Sequence, residues 1–329
     1  MNSFTRWIPV ALVALLLFTI SQMSGGAQAT PSSSGDTVDA SGDFAGLVDI
    51  GDGRRLYLEC TGSGSPTVIL EAGYRSPATV WTDNLYDLAG SPTMVLPGVS
   101  NFTRVCTYER PGVAAYLNGE VYPSRSDPAP TPRTAEDVVA DLHALLAHAN
   151  VPGPYVLVGH SFGGLFVRLY ASTYPDEVVG MVLIDALYEG IETLLTPDEW
   201  TAYAKLNAAL PPEFAGYPDY ETIDFPVSFA QMRQAAAQSP LRPMPLAVVS
   251  KGQPFGIPES ALGFSPDALE EAWNSAQHEL ATLSPDANLV VATESGHYVQ
   301  LQQPELVIAA IEQVVDASRD PGTWATPIP

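Results

Sequence analysis

Ser161 sits in the hexapeptide Gly159-His160-Ser161-Phe162-Gly163-Gly164, which has the form G-x-S-x-G. An apolar run at residues 155–158 precedes it and an amphipathic run at residues 165–170 follows. The local pattern therefore predicts a strand, a sharp turn and a helix. Such a turn lifts a serine hydroxyl clear of the backbone, and glycine at 159 and 163 avoids a clash of side chains within it. The Phe162 amide then falls at a helix N-terminus, placed to donate to a developing oxyanion. The chemistry that suits this arrangement is nucleophilic acyl transfer, which requires neither metal nor cofactor.

A serine hydroxyl needs a base, and the chain has five histidines. His143 and His148 fall five apart on one predicted helix, so they do not share a face as metal ligands do. His160 is directed elsewhere by its place beside Ser161, and His278 lies within a helix. His297 follows the last strand-like run on the short loop Glu294-Ser295-Gly296 and is the expected base. The acid that orients it has two candidates. Asp185 directly follows the run at 179–184 and keeps the chain order Ser, acid, His; Glu259 is the first acid after the run at 246–249. Asp185 is the favoured reading, but an aspartate at a strand exit also serves as a turn cap, and Glu259 stays open. The second oxyanion donor is expected from Glu71-Ala72-Gly73-Tyr74-Arg75, where Gly73 permits close backbone approach and the Tyr74 amide donates. Arg75 reads either as a contact for an anionic substrate group or as a solvated charge.

These residues must be carried by a scaffold, and its elements are visible as periodicity. Short strand-like runs at 47–50 and 54–59 flank Gly51-Asp52-Gly53, a hairpin signal. Further apolar runs at 67–70, 105–108, 155–158, 179–184, 246–249 and 289–291 read as buried strands. Between them, residues 132–149 carry Val138, Leu142, Leu145 and Leu146 at helical spacing with Thr134 as cap, and residues 306–315 close the chain as a helix. Alternation of this kind indicates an α/β domain with a mostly parallel sheet covered on both faces. Residues 187–243 break the rhythm. They hold a helix capped by Thr196, with Pro197 first and Glu199 third, inside Pro- and aromatic-rich sequence that suits a cap insertion.

The chain ends have other readings. One arginine, an apolar stretch at residues 8–20 and Ala27-Gln28-Ala29 form the layout of a signal peptide at 1–29. The stretch is shorter than the roughly twenty residues that span a bilayer, so export with cleavage is expected and no stable membrane anchor afterwards. Residues 30–43 read as a flexible spacer and 317–329 as a tail. The whole chain has 329 residues and a formal charge of −23, with 46% apolar residues. That apolar fraction excludes a wholly disordered acidic chain. Two cysteines exclude a disulfide-dense scaffold or a four-cysteine zinc site. The acidic excess argues against nucleic acid or anionic lipid as partners.

Together these residues resemble the α/β-hydrolase superfamily, most closely its single-domain esterase-type members. The resemblance rests on L-E-C-x-G-x-G-x-P-T-V-x-L-E-A-G at 58–73, V-C-x-Y-x-R-x-G at 105–112 and G-H-S-x-G-G at 159–164. It continues with V-L-I-D-A at 182–186 and S-G-H-Y-x-Q-x-x-x-P-E-L-V at 295–307. It covers residues 44–316 and implies an eight-stranded sheet in the order 1-2-4-3-5-6-7-8, a small helical cap and a Ser-acid-His triad. Most members place the acid after the seventh strand. This chain has none there, so a shift to Asp185 after the sixth is implied. Members with an aspartate nucleophile, such as haloalkane dehalogenases, are excluded by Ser161. The same topology makes the strands of Cys60 and Cys106 neighbours, which implies a disulfide in an exported chain. The function implied is a secreted serine hydrolase of small-molecule carboxylic esters, with water as acyl acceptor. An amidase or aminopeptidase-like reading would use Glu213, Asp219, Glu221 and Asp224 to hold a substrate amine, and a non-catalytic binding protein is the remaining alternative.

Overall fold

Runs of β-branched and apolar residues pair as strands. In order these are β1 Phe44–Asp49, β2 Arg55–Thr61, β3 Thr67–Glu71, β4 Val105–Tyr108, β5 Ala114–Leu117 and β6 Glu120–Pro123. They continue with β7 Tyr155–His160, β8 Val178–Ile184, β9 Leu246–Lys251 and β10 Asn288–Ala292. Those of β3, β4, β7, β8 and β9 are buried on both sheet faces. The structure, a computed structural model, describes residues 39–85, 92–117, 119–285 and 287–324. The signal peptide read at 1–29, the first nine residues of the spacer and the last five residues of the tail lie outside the described residues.

Eight strands form one sheet in the order β1-β2-β4-β3-β7-β8-β9-β10, and β5 and β6 pair separately as a hairpin. With the hairpin set aside, this is the implied 1-2-4-3-5-6-7-8 order. The β1–β2 and β2–β4 pairs are antiparallel and the rest are parallel. The central strands feed both faces in alternation. Leu157, Met181, Leu183 and Val248 join one core cluster. Val156, Val158, Val182, Ile184 and Val249 join the other. The helices Ala135–His148, Gly163–Thr173 and Pro266–Ala281 cover the first face, while Val95–Val99 and Pro304–Arg319 cover the second.

Helix starts follow local chemistry. Thr134 and Asp137 form a reciprocal capping box, as do Thr196 and Glu199 with Pro197 in the first turn, a device contributing about 1 kcal/mol per cap. Two expectations change, and one element was not expected. The run after Ser161, read as amphipathic, is buried all round from Gly163 to Ser172, because the insertion helix Phe225–Gln238 covers the side that would otherwise meet solvent. The hairpin β5–β6 went unread, although Asn118-Gly119 is a strong hairpin signal. The tail expected from 317 is part of the domain as far as 324. The closing helix runs to Arg319, Ala317 is buried, and Arg319 donates to the carbonyls of Ser65 and Phe102.

Cys60 and Cys106 face each other in the antiparallel register of β2 and β4 and are joined by a disulfide, with Cα atoms 4.1 Å apart. No helix among the described residues is long and apolar enough to cross a membrane.

Candidate active site

The strand register assembles the site before any side chain is considered. His160 on β7 lies opposite Ile184 on β8, so the next residues, Ser161 and Asp185, leave adjacent strands side by side. Ser161 holds φ +53 and Asp185 φ +40, both left-handed and both costly for residues with a Cβ. Backbone bonds hold the turn: the Ser161 amide donates to Ile184 O at 3.0 Å, and the Asp185 amide donates to Val249 O at 2.7 Å. The elbow glycines are required for two different reasons. A Cβ at Gly159 would lie 2.6 Å from Gly163 O, a clash within the turn. A Cβ at Gly163 would lie 2.5 Å from Glu71 O, so here the obstacle is the neighbouring strand β3 and not residue 159.

Ser161, His297 and Asp185 form one hydrogen-bonded chain. His297 Nε2 is 2.9 Å from Ser161 Oγ, and Nδ1 is 2.6 Å from Asp185 Oδ2. A carboxylate only accepts, so Nδ1 carries the proton and Nε2 accepts from the serine hydroxyl. Asp185 is fully buried, and its other oxygen accepts from the Lys251 amide at 3.1 Å and from Trp273 Nε1 at 2.9 Å. Glu259 is exposed at the start of the helix Glu259–Leu262. The carboxylate at the imidazole is therefore that of Asp185.

Behind the imidazole lies His160, buried and 4.7 Å from His297 between ring centroids. Its Nε2 donates to the His297 carbonyl at 2.9 Å. Burial and the neighbouring His297 push its pKa well below 6.5, so it stays neutral. Through that bond it supports the loop that carries His297. Of the remaining histidines, His143 stacks on Tyr174, and His148 and His278 each bond a carbonyl one helical turn back.

The two expected oxyanion donors flank Ser161. Phe162 occupies the N-terminal cap of the helix Gly163–Thr173, where amides lack intrahelical partners. Gly73 lies so close that a Cβ there would sit 3.0 Å from Ser161 Cβ, and Tyr74 follows it on the wall of the cavity. Among the described residues, no hydrogen bond within the protein consumes the Phe162 or Tyr74 amide.

Ser161 and His297 open into a cavity of about 420 Å³, walled largely by apolar groups including Tyr74, Leu85, Tyr116, Leu206, Phe214 and Ile257. Hairpin strand β5 and the insertion contribute much of that wall. Arg75, on the same wall, is half-buried and engaged within the protein. Its guanidinium lies between the rings of Tyr74 and Tyr220, 4.6 and 4.7 Å from their centroids. It donates to Glu221 O at 3.1 Å and Ala209 O at 2.8 Å, while its amide donates to Glu221 Oε2 at 2.6 Å. It ties the insertion to the loop after β3. The acidic group suggested for binding an amine is dispersed. Glu221 is buried against Arg110, Asp224 caps the helix Phe225–Gln238, Asp219 is exposed, and only Glu213 reaches the cavity. Sequence reading missed Trp273, Lys251 and His160 as supports of the site. Their partners lie 88, 66 and 137 residues away, so no local pattern could reveal them.

Comparison with known proteins agrees with this architecture. Residues 68–310 match the model of the alpha/beta hydrolase family. An uncharacterized protein of Bacillus subtilis, YqjL, is 26% identical over 254 residues, covering 77% of this chain and 85% of its own. Two fungal relatives, from Schizosaccharomyces pombe and Hormonema carpetanum, are longer, and the aligned parts span 26% and 42% of their length. Among solved structures, mouse alpha/beta hydrolase domain-containing protein 10 superposes with a TM-score of 0.54 at 16% identity, over 83% of this chain and 98% of that one. Est816, described as an N-acyl homoserine lactone degrading enzyme, gives 0.51 at 16% identity, over 81% and 99%. At such identities the likeness is one of fold. The chain belongs to the alpha/beta hydrolase family.

Proposed function

We propose that this protein is a secreted serine hydrolase that cleaves carboxylic esters through an acyl-enzyme on Ser161. The observation that carries the proposal is the unbroken hydrogen-bonded chain from Ser161 Oγ through His297 to Asp185 at the base of an apolar cavity. In the first half-reaction His297 Nε2 takes the Ser161 proton as Oγ attacks the ester carbonyl carbon. The oxyanion is held by the amides of Phe162 and Tyr74, and Asp185 stabilises the imidazolium. His297 then gives the proton to the departing alcohol. Water enters, loses a proton to His297 and attacks the acyl carbon, and the acid leaves as Ser161 recovers its proton.

The cavity supports an ester over a substrate carrying a free amine, because the acids once available for an amine are paired or turned away, except Glu213. Export is the second part of the proposal. A disulfide between Cys60 and Cys106 suits an oxidising compartment. Ser161→Ala should abolish hydrolysis of a panel of p-nitrophenyl esters of rising chain length, measured beside aminoacyl amides. Substantial ester turnover by that variant, or faster cleavage of the amides by the wild type, would overturn the assignment.

A further inference from the structure

Arg110 is buried on the loop that follows β4, outside the hydrogen-bonded chain of Ser161, His297 and Asp185. All three guanidinium nitrogens are used. Nη1 donates to Glu71 Oε1 at 2.5 Å and to Ala72 O at 2.9 Å; Nη2 donates to Gly73 O at 2.7 Å and Glu221 Oε2 at 3.0 Å; Nε donates to Glu221 Oε1 at 2.6 Å. Glu71 is held a second time, by the Tyr108 hydroxyl at 2.5 Å. Two buried carboxylates, Glu71 and Glu221, thus share the single guanidinium of Arg110 between β3 and the insertion. Charge balance alone does not explain why the fork also reaches the carbonyls of Ala72 and Gly73.

Peptide geometry does. The Gly73–Tyr74 bond is trans, and in a trans peptide the C=O and the following N–H point in opposite directions on one rigid plane. A Gly73 carbonyl fixed on Arg110 sends the Tyr74 N–H the other way, toward the cavity that Gly73, Tyr74 and Ser161 line. The Ser76 amide, 3.0 Å from the same oxygen, reinforces that orientation. We propose that Arg110 is a positioning residue of the oxyanion site, setting the Gly73–Tyr74 peptide so that the Tyr74 amide is aimed at the tetrahedral intermediate before substrate arrives. This rests on the acyl-enzyme reading above. A preset donor costs no reorganisation during reaction, and its loss is felt in the transition state more than in the ground state.

The test is Arg110→Lys, which keeps a cation against the two carboxylates but lacks the fork needed to reach Gly73 O as well. The expected result with a p-nitrophenyl ester is a kcat lower by about 100-fold, with KM within about twofold. Affinity for a phenylboronic acid, which forms a tetrahedral adduct on serine, falls in parallel. Arg104→Lys, altering another buried arginine that donates to backbone carbonyls far from the site, reports the cost of merely disturbing the fold and is expected to leave kcat unchanged. A folded Arg110→Lys protein with wild-type kcat, or one whose loss lies in KM, overturns the proposal. Should that variant not fold, the wild type decides. On adding the boronic acid the Tyr74 amide proton is expected to move downfield, and a resonance that stays put overturns the proposal. Failure of the underlying reading looks different, since the wild type itself would then neither hydrolyse the ester nor react with a fluorophosphonate.

Discussion

Asp185 accepts from His297, the Lys251 amide and Trp273 while wholly buried, so its carboxylate is both satisfied and immobile. Asparagine there would present an amide N–H to Nδ1 and favour the wrong imidazole tautomer. Asp185→Asn is expected to lower kcat by about 10³- to 10⁴-fold with folding intact, and Glu259→Gln to leave it unchanged; the reverse pattern in steady-state kinetics would contradict the assignment. His160 makes a separate prediction, in pH. Its folded pKa lies well below 6.5, so on acidification the unfolded chain takes up that proton first. Its contribution to stability is therefore complete above about pH 6.5 and is lost as pH falls, by up to about 1.4 kcal/mol per pH unit. His160→Gln can still donate to the His297 carbonyl but does not titrate. The stability advantage of the wild type over this variant, from denaturant midpoints, is expected to shrink between pH 7 and pH 5; a constant difference would contradict it. Ser161 and His297 were legible in the sequence because a tight turn and a post-strand loop constrain their neighbours. Asp185 was separable from Glu259 only by the β7–β8 register, which sets it beside Ser161.

At the scale of elements, strands buried on both faces announced themselves as unbroken apolar runs, and the two capping boxes fixed helix starts. What stayed hidden depends on contacts distant in sequence. The all-round burial of the elbow helix is decided by the insertion helix Phe225–Gln238, and the order of residues 317–324 by Arg319 reaching the carbonyls of Ser65 and Phe102. The Cys60–Cys106 link, implied by strand order, joins residues 46 apart. Closing a loop of that size in the unfolded chain stabilises the native state by about 4 kcal/mol in the chain-entropy account. Cys60→Ala/Cys106→Ala is expected to lower unfolding free energy by about 2–4 kcal/mol while the folded fraction keeps its kcat. Loss of turnover in fully folded double variant would show that the β2–β4 edge shapes the site directly.

At the scale of the whole molecule, the formal charge of −23 sets a field around an apolar cavity whose nearest cation, Arg75, is already engaged by Glu221, backbone carbonyls and two aromatic rings. An ester bearing a free carboxylate therefore meets repulsion, and among the described residues lining the cavity no other lysine or arginine offsets it. Its kcat/KM is expected to lie below that of a neutral ester of equal size and to rise with added salt, as screening shortens to about 10 Å at 0.1 M; salt should leave the neutral ester unaffected. A preference for the anionic ester would contradict this account. Composition disfavoured nucleic acid and anionic lipid but was silent on the substrate; the cavity and the engagement of Arg75 could be seen only once the insertion was in place. The central claim is that Ser161 is the nucleophile, and its most direct test is intact-mass and peptide-map analysis after fluorophosphonate treatment. The account predicts one adduct per chain, on Ser161, with ester hydrolysis lost in proportion to labelling; an adduct elsewhere, or hydrolysis that persists in protein fully labelled at Ser161, would contradict it.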